Sequence, residues 1–312
     1  MAVNSRWWTK ETVAVVTGAN KGIGFEIVRQ FAENVLTVIL TARDANRGLS
    51  AVKTLHDQGF NNVVFHELDI QKPHSVSDFG RWMKDNYGGL DILVNNAAIY
   101  GMFRDNEVVM QALQVPGVYD HIIDTLNNPI FAKAHKTNYE LSKNCIEINY
   151  YGTKRITEEL LPLLRPEGRI VNVSSEAGLL RFLKNDSLQR QLSDVSNITE
   201  EFIDNMVEMF LEDMKEGELE GKGWPIFAAP YSLSKIASNA YARLLAEKLS
   251  NSEGGKRIYV NCVHPGVVQT DMSGNRGNLT ASQGAESSVM VALLPPGGPS
   301  GQFYFLKDRH EF

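Results

Sequence analysis

Between residues 12 and 94, four short runs rich in β-branched and apolar residues alternate with three amphipathic stretches. The runs are 12–17 (TVAVVT), 36–41 (LTVILT), 63–68 (VVFHEL) and 90–94 (LDILV). The stretches between them, 22–33, 45–58 and 74–87, carry their apolar residues at helical spacing. A strand that is apolar on both faces must be covered on both faces. When such strands alternate with helices, the layout that satisfies them is a parallel sheet sandwiched between helical layers. The pattern resumes with a helix over 145–164, a strand over 169–173, a helix over 231–249 and a strand over 258–263. A last strand near 302–305 follows the turn-rich PPGGPSG of 295–301. The expectation is an α/β, Rossmann-type doubly wound parallel sheet of about seven strands. No linker, repeat or low-complexity tract divides it, so residues 1–312 read as one domain.

Two stretches break the alternation. Residues 101–137 follow the fourth strand and contain Pro116, Gly117 and Pro129. Residues 176–229 follow the fifth strand and hold ITEEFIDNMVEMFLEDMKEGELE, whose Thr199 is suited to cap a helix with acidic residues in its first turn. Phe202, Met206, Val207, Phe210, Leu211 and Met214 would form that helix's apolar face. Both insertions follow the carboxyl end of a strand, the edge of an open parallel sheet where ligands bind. Loops this long in a compact domain are more often lids than decoration, and a substrate-covering role is expected for both.

Composition narrows the partners. The net charge is −6, with 22% of residues charged, and no basic face suited to nucleic acid stands out. No apolar run reaches the ~20 residues of a membrane span. The first residues, MAVNSRWWTKETVAVVTG, have no signal-peptide core or cleavage site. Two cysteines far apart, Cys145 and Cys262, fit a reducing compartment better than a disulfide or a zinc site. A cytoplasmic protein acting on a small molecule is the expectation, with no metal.

The first strand runs into TGANKGIG, residues 17–24, which opens the first helix. Gly18, Gly22 and Gly24 allow a tight turn and close approach of backbone to a pyrophosphate, and the helix N-terminus supplies N–H donors and a positive dipole. In a strand–turn–helix setting this is a strong dinucleotide signal, with Asn20, Lys21 and Ile23 inside it. The second strand ends in Arg43. With Lys21 it would place two cations at the ribose, which suits a 2′-phosphate and predicts NADP(H). Asp44 is the alternative, because a carboxylate one residue on would accept a free ribose hydroxyl. At the end of the third strand Asp69 could bind the adenine amino group, with Leu68 and Ile70 lining the ring, or could cap the next helix. Asn95, Asn96, Ala97 and Ala98 end the fourth strand, where small residues let the cofactor pass and Asn amides can pin neighbouring strands. In 231–235, YSLSK sets a phenol and an ammonium at i and i+4, on one face of a helix.

Taken together, TGANKGIG, LDI, NNAA, INYYG, RIVNVSS, YSLSK and HPGVVQT, in this order from about residue 12 to 272, resemble the short-chain dehydrogenase/reductase family. The KGIGFEI opening and the long segments before INYYG and YSLSK resemble its salutaridine reductase, neomenthol dehydrogenase and carbonyl reductase branch. One departure is Ala98, where the family usually has Gly. The resemblance implies a catalytic tetrad of Asn149, Ser175, Tyr231 and Lys235, with Ser174 as the neighbour that could be confused with Ser175. It also implies that Pro265, Gly266, Val268 and Thr270 lie by the nicotinamide, and that Asn95, Ala97, Tyr231 and Lys235 touch the cofactor.

The chemistry supports these roles. A free phenol, with pKa about 10, is a poor acid-base near neutrality, and a nearby cation would pull it down. Ser175 would polarise the carbonyl. Asn149 in mid-helix would disturb its backbone bonds and hold a water on a proton path through Lys235. The expected activity is NADPH-dependent reduction of a ketone or aldehyde, in a pocket walled by 99–103, 176–182, 224–227 and the segment after Thr270. These walls are mostly apolar and suit a bulky terpenoid or alkaloid ketone. An enone reductase and a non-catalytic NADP(H)-binding regulator are the competing readings. The acidic helix would cover the surface through which family members without the insertion assemble, so a monomer is expected.

Overall fold

A computed structural model describes residues 6–104, 108, 135–250 and 256–312. An eight-stranded sheet forms from β1 (Val13–Val16), β2 (Thr37–Ala42), β3 (Val63–Glu67), β4 (Leu90–Asn95), β7 (Leu164–Val173), β8 (Ile258–His264), β9 (Phe303–Phe305) and β10 (Asp308–His310). Its order is β10-β9-β8-β7-β4-β1-β2-β3. Seven strands are parallel, as expected, and β10 pairs antiparallel with β9 at the edge. The two-residue strands β5 (Phe103–Arg104) and β6 (His135–Lys136) pair antiparallel apart from it. Most of the 101–137 insertion lies outside the described residues.

The helices are α1 (Gly22–Glu33), α2 (Ala45–Asp57), α3 (Pro73–Tyr87), α4 (Tyr139–Ile146), α5 (Thr153–Leu160), α6 (Asp186–Ser193), α7 (Glu200–Glu216), α8 (Ala229–Ser250) and α9 (Ala281–Ala292). Alternation along the strands divides the core in two. Val13 and Val15 of β1 and Ile170 of β7 pack with α3, α4, α5 and α8. Ala14 and Val16, with Val171 and Val173, pack with α1, α2 and α9 on the other face. This is the burial that a strand apolar on both sides requires.

Several boundaries differ from expectation. The helix expected over 145–164 starts six residues earlier, at Tyr139, and ends at Leu160. A π-helical segment, Glu147–Gly152, interrupts it around Asn149. Leu164 already belongs to β7, which begins before the expected residue 169 and passes through Glu167 at φ 64°. The expected α7 is present: Thr199 accepts a hydrogen bond from the Phe202 N–H at 3.1 Å, and Ile203, Met206, Val207 and Phe210 are buried.

From β1 the chain winds outward through β2 and β3. It then returns to β4 on the other side of β1 and proceeds through β7, β8 and β9. The loops after β1 and β4 therefore leave the sheet in opposite directions and open a crevice at their carboxyl ends.

Candidate active site

The glycine turn after β1 is held against the end of β4. Gly18 has φ +62°, and a Cβ there would lie 2.8 Å from Ala97 Cα. The Thr17 hydroxyl accepts from the backbone N–H groups of Asn96 and Ala97, each at 3.0 Å. Asn96 Nδ2 donates to Thr17 O at 2.9 Å and to Gly18 O at 3.2 Å, and a Cβ on Gly24 would strike the same amide at 2.4 Å. A side chain on either glycine would push the turn off β4 or into the crevice. Asn96 is a site-building residue that the sequence reading left out of its cofactor set. Asn95, included in it, turns the other way: its amide donates to Thr157 Oγ1 at 2.9 Å and Asn172 Oδ1 at 2.8 Å, so it ties β4 to α5 and β7. Ala98 does not have a positive φ, so its methyl is accommodated where the family's glycine stands.

At the ribose corner, Asp44 is committed elsewhere. Its carboxylate accepts the Arg47 N–H at 2.9 Å as the N-cap of α2. Arg43 is exposed. Lys21 forms an ion pair with Asp271 at 2.5 Å, linking the glycine turn to the segment after β8. A cleft of about 510 Å³ lies alongside, with Asn20, Lys21, Phe25 and Arg47 among its lining residues. Arg47 is a cation the sequence reading overlooked, although it opens α2 four residues after Arg43. Leu68 and Ile70 do not form an open adenine wall; both are buried in the core. Asp69 accepts the Gln71 N–H at 3.1 Å and sits 3.5 Å from Lys72 Nζ, so its carboxylate organises its own turn. Ile23 is partly buried against the core. Pro265 and Gly266 lead the chain from β8 back over the glycine turn. There Val268 bridges to Leu279, and the Thr270 methyl would be 3.4 Å from a Cβ on Gly22.

Of the expected tetrad, Ser175 stands two residues past the end of β7, Tyr231 and Lys235 lie on α8, and Asn149 lies on the π-helical segment. The Ser175 side chain lies close enough to the Tyr231 phenol to favour its ionised form. Ser175 Oγ also accepts from the Ala177 N–H at 3.2 Å. Its neighbour Ser174 points away and donates to Asn239 Oδ1 at 2.7 Å, which separates the two serines. Lys235 is buried, with Nζ donating to Val173 O at 2.8 Å and standing 5.6 Å from the Tyr231 ring centroid. The Asn149 carboxamide is fully engaged. Its Oδ1 accepts from the Ile99 N–H at 2.8 Å, and its Nδ2 donates to Ile99 O at 2.9 Å and Ser234 Oγ at 3.0 Å. Its backbone carbonyl accepts from Ser238 Oγ at 3.0 Å. The Asn149 side chain is thus a clamp on Ile99. The π-helical turn provides it, because the widened turn shifts the side-chain register at Asn149.

Burial dominates the electrostatics. It pushes the Tyr231 phenol up to about 12, against a smaller lowering from the Ser175 hydrogen bond. It pushes the Lys235 ammonium down to about 8. In the protein alone the cost of charging the phenol away from water outweighs the lowering, and Lys235 is not among the groups that shift it. Cys145 and Cys262 are free, buried and pushed up to about 12, which keeps both thiols protonated. Burial drives His264 down to about 3, so its ring is neutral beside Phe305. Among the described residues no cluster of His, Cys, Asp or Glu could hold a metal ion.

The short chain dehydrogenase family profile matches residues 12–186. The chain is 43% identical over 306 residues to (+)-neomenthol dehydrogenase of Arabidopsis thaliana, covering 96% of this chain and 97% of that one. It is 40% identical over 295 residues to carbonyl reductase [NADPH] 1 of Mus musculus, covering 93% and 95%. The solved structure of salutaridine reductase from Papaver somniferum superposes with a TM-score of 0.85 at 42% identity, covering 94% of this chain and 99% of that one. The chain belongs to the short-chain dehydrogenase/reductase family.

Within this short-chain dehydrogenase/reductase, the second insertion is a packed helical unit. Trp224, expected as a pocket wall, is instead 1% exposed. It packs edge-on against Phe210, with its indole donating to Asp213 at 2.7 Å. It nucleates the insertion's core because a large ring with one donor is best buried where that donor has an acceptor. Asp204 of α7 accepts from the Tyr150 hydroxyl at 2.6 Å and from Lys154 at 3.0 Å, and Glu200 pairs with Lys154 and Lys248. These bonds fasten α7 across α5 and α8.

Proposed function

We propose that this protein is an NADP(H)-dependent reductase that converts a bulky lipophilic ketone or aldehyde to the alcohol. The observation that carries this reading is buried Lys235, 5.6 Å from the Tyr231 ring, with Ser175 beside the phenol, at the end of the crevice that the glycine turn opens. The residues fit the cofactor. Gly18 at φ +62° lets the turn lie against β4, Arg43 offers an exposed cation at the ribose corner beside Lys21, which pairs with Asp271, and Asp44 is occupied as a helix cap. NADPH supplies the hydride when bound.

Tyr231 is the proton donor. A phenol pushed up to about 12 keeps its proton throughout the physiological range, which is the form that reduction requires. Ser175 holds the carbonyl oxygen beside the phenol, and a hydroxyl fixed there stabilises the charge that develops on that oxygen. Lys235 is a positioning residue behind Tyr231, and Asn149 locks the chain at Ile99 that faces it. Phe103 (66% exposed), Ile226 (54%) and Met272 (36%) come from three segments expected around the mouth and give it an apolar character suited to lipophilic substrates. The second insertion acts as its lid. Because α7 covers α5 and α8, the protein is a monomer, and its two protonated thiols suit a reducing cytoplasm.

NADPH consumption measured across terpenoid, alkaloid and aryl ketones, with NADH for comparison, tests this reading. Several ketones should be turned over with NADPH preferred, and Tyr231→Phe should lower kcat by about 10²–10⁴-fold. Unchanged turnover in Tyr231→Phe would remove the mechanism. Reduction of an enone only at the C=C bond would replace carbonyl reduction. A dimer mass by light scattering would refute the monomer.

A further inference from the structure

The Tyr231 ring is flanked on one side by Lys235 and on the other by a residue that none of the motifs contains. The Tyr100 ring packs against it with centroids 5.5 Å apart and planes tilted by 53°. The backbone on both sides of Tyr100 is fixed. Before it, both backbone groups of Ile99 are held by the Asn149 carboxamide. After it, Gly101 sits at φ +70°, where a Cβ would stand 2.4 Å from Cys145 Cβ. The Gly101 carbonyl accepts from Thr137 Oγ1 at 3.1 Å. This segment cannot retreat from Tyr231, so the space beside the phenol depends on the side chain at position 100.

We propose that Tyr100 determines specificity, setting how wide a ketone can be next to its reacting carbonyl while shielding Tyr231 from water. The proposal rests on the reductase reading and adds the residue that limits substrate width. A rigid aromatic wall costs little conformational entropy and excludes a fused ring that a small side chain would admit. Among the described residues, Tyr100 and Lys235 pack against the Tyr231 ring, and Ser175 and Cys145 are close enough to act on its phenol. Tyr100 is the one whose truncation would open the ring to solvent without altering the proton path.

The test compares wild type, Tyr100→Phe and Tyr100→Ala on cyclohexanone, 2-decalone and a tetracyclic steroid ketone with NADPH. Tyr100→Ala should raise kcat/KM for the tetracyclic ketone relative to cyclohexanone by roughly ten-fold or more, mostly by raising the KM of the small ketone and lowering that of the large one. Tyr100→Phe keeps the ring and should keep the wild-type order. An unchanged ratio in Tyr100→Ala, or an equal shift in Tyr100→Phe, overturns the proposal. Tyr100→Leu gives the same comparison should the alanine variant not fold. A second readout needs no turnover. The ultraviolet titration of wild type minus Tyr231→Phe isolates the one phenol. Replacing Tyr100 by Ala, in both Tyr231 backgrounds, should lower its titration midpoint, whereas Tyr100→Phe should not. If wild type reduces no ketone, the reductase reading fails. In that case an unmoved midpoint rejects the Tyr100 contact, and a lowered one supports it.

Discussion

The Asn149 carboxamide binds both backbone groups of Ile99, accepting from its N–H at 2.8 Å and donating to its carbonyl at 2.9 Å. This two-point bond extends the order of β4 past its last residue and carries the pocket wall with it. Asn149→Ala would strand the Ile99 N–H and C=O away from water. Unmet backbone groups of this kind cost about 1–3 kcal/mol each. Urea unfolding should show a loss in that range, and cofactor affinity should change less than kcat. A loss below about 0.5 kcal/mol would mean that the clamp does not form.

The two adjacent serines should separate cleanly. Ser174→Ala removes the donor to buried Asn239 and should cost about 1–3 kcal/mol of stability, with kcat kept within a few-fold. Ser175→Ala should leave stability near wild type and lower kcat by about 10²–10³-fold, the scale for loss of one oxyanion donor. Urea melts and steady-state kinetics on both variants would expose a reversed assignment.

Lys235 predicts a pH signature of stability. Its ammonium is pushed down to about 8 in the fold, from a usual value of 10.5. Between those values the unfolded chain holds the proton and the fold does not, so stability gains from rising pH in that window. Below about 8 both states are protonated and the burial cost is fully present. Lys235→Met has no such titration. The stability of wild type relative to Lys235→Met should therefore rise from pH 8 to 10.5 and stay flat from pH 6 to 7.5. Chemical denaturation of the pair at each pH gives the slope. A difference that falls through the upper window would contradict the buried cation.

Cofactor choice should depend on Arg43 and not on Asp44. Arg43→Ala should weaken NADPH binding by about 10–100-fold, the worth of a charge-assisted bond, with little change for NADH. Asp44→Ala should cost about 1 kcal/mol as a lost helix cap and leave the preference for NADPH over NADH intact. Fluorescence titration of each variant with both nucleotides measures this. A swing toward NADPH in Asp44→Ala would show that the carboxylate faces the ribose.

Most of the sheet was legible because seven strands are apolar enough to announce burial on both faces. The eighth, Asp308–His310, is three exposed polar residues and gives no such signal. That Tyr231 and Lys235 share one helix face was legible from their spacing. What each side chain does was less so. Asn95 and Asn96 are adjacent on a strand end, so their amides point to opposite sides, and the sequence does not say which faces the glycine turn. EINYYG has the composition of an ordinary helix, so its wider winding leaves no mark in the sequence. Asp69, and Asp44 as an alternative, read as ligand carboxylates, but backbone N–H groups a few residues on bind both. Trp224 was expected at the mouth as part of the 224–227 wall, whereas its area and its indole donor favoured the interior of the insertion.

The bonds from Asp204 and Glu200 to Tyr150, Lys154 and Lys248 join α7 to helices from which it is never free to diffuse, because the same chain holds it at both ends. A neighbouring molecule covering that surface would be lost on dilution, whereas a tethered helix keeps a fixed local concentration. The helix that carries Tyr231 and Lys235 thus has its outer support at any protein concentration, and its packing should be the same in a dilute assay as in a crowded cell.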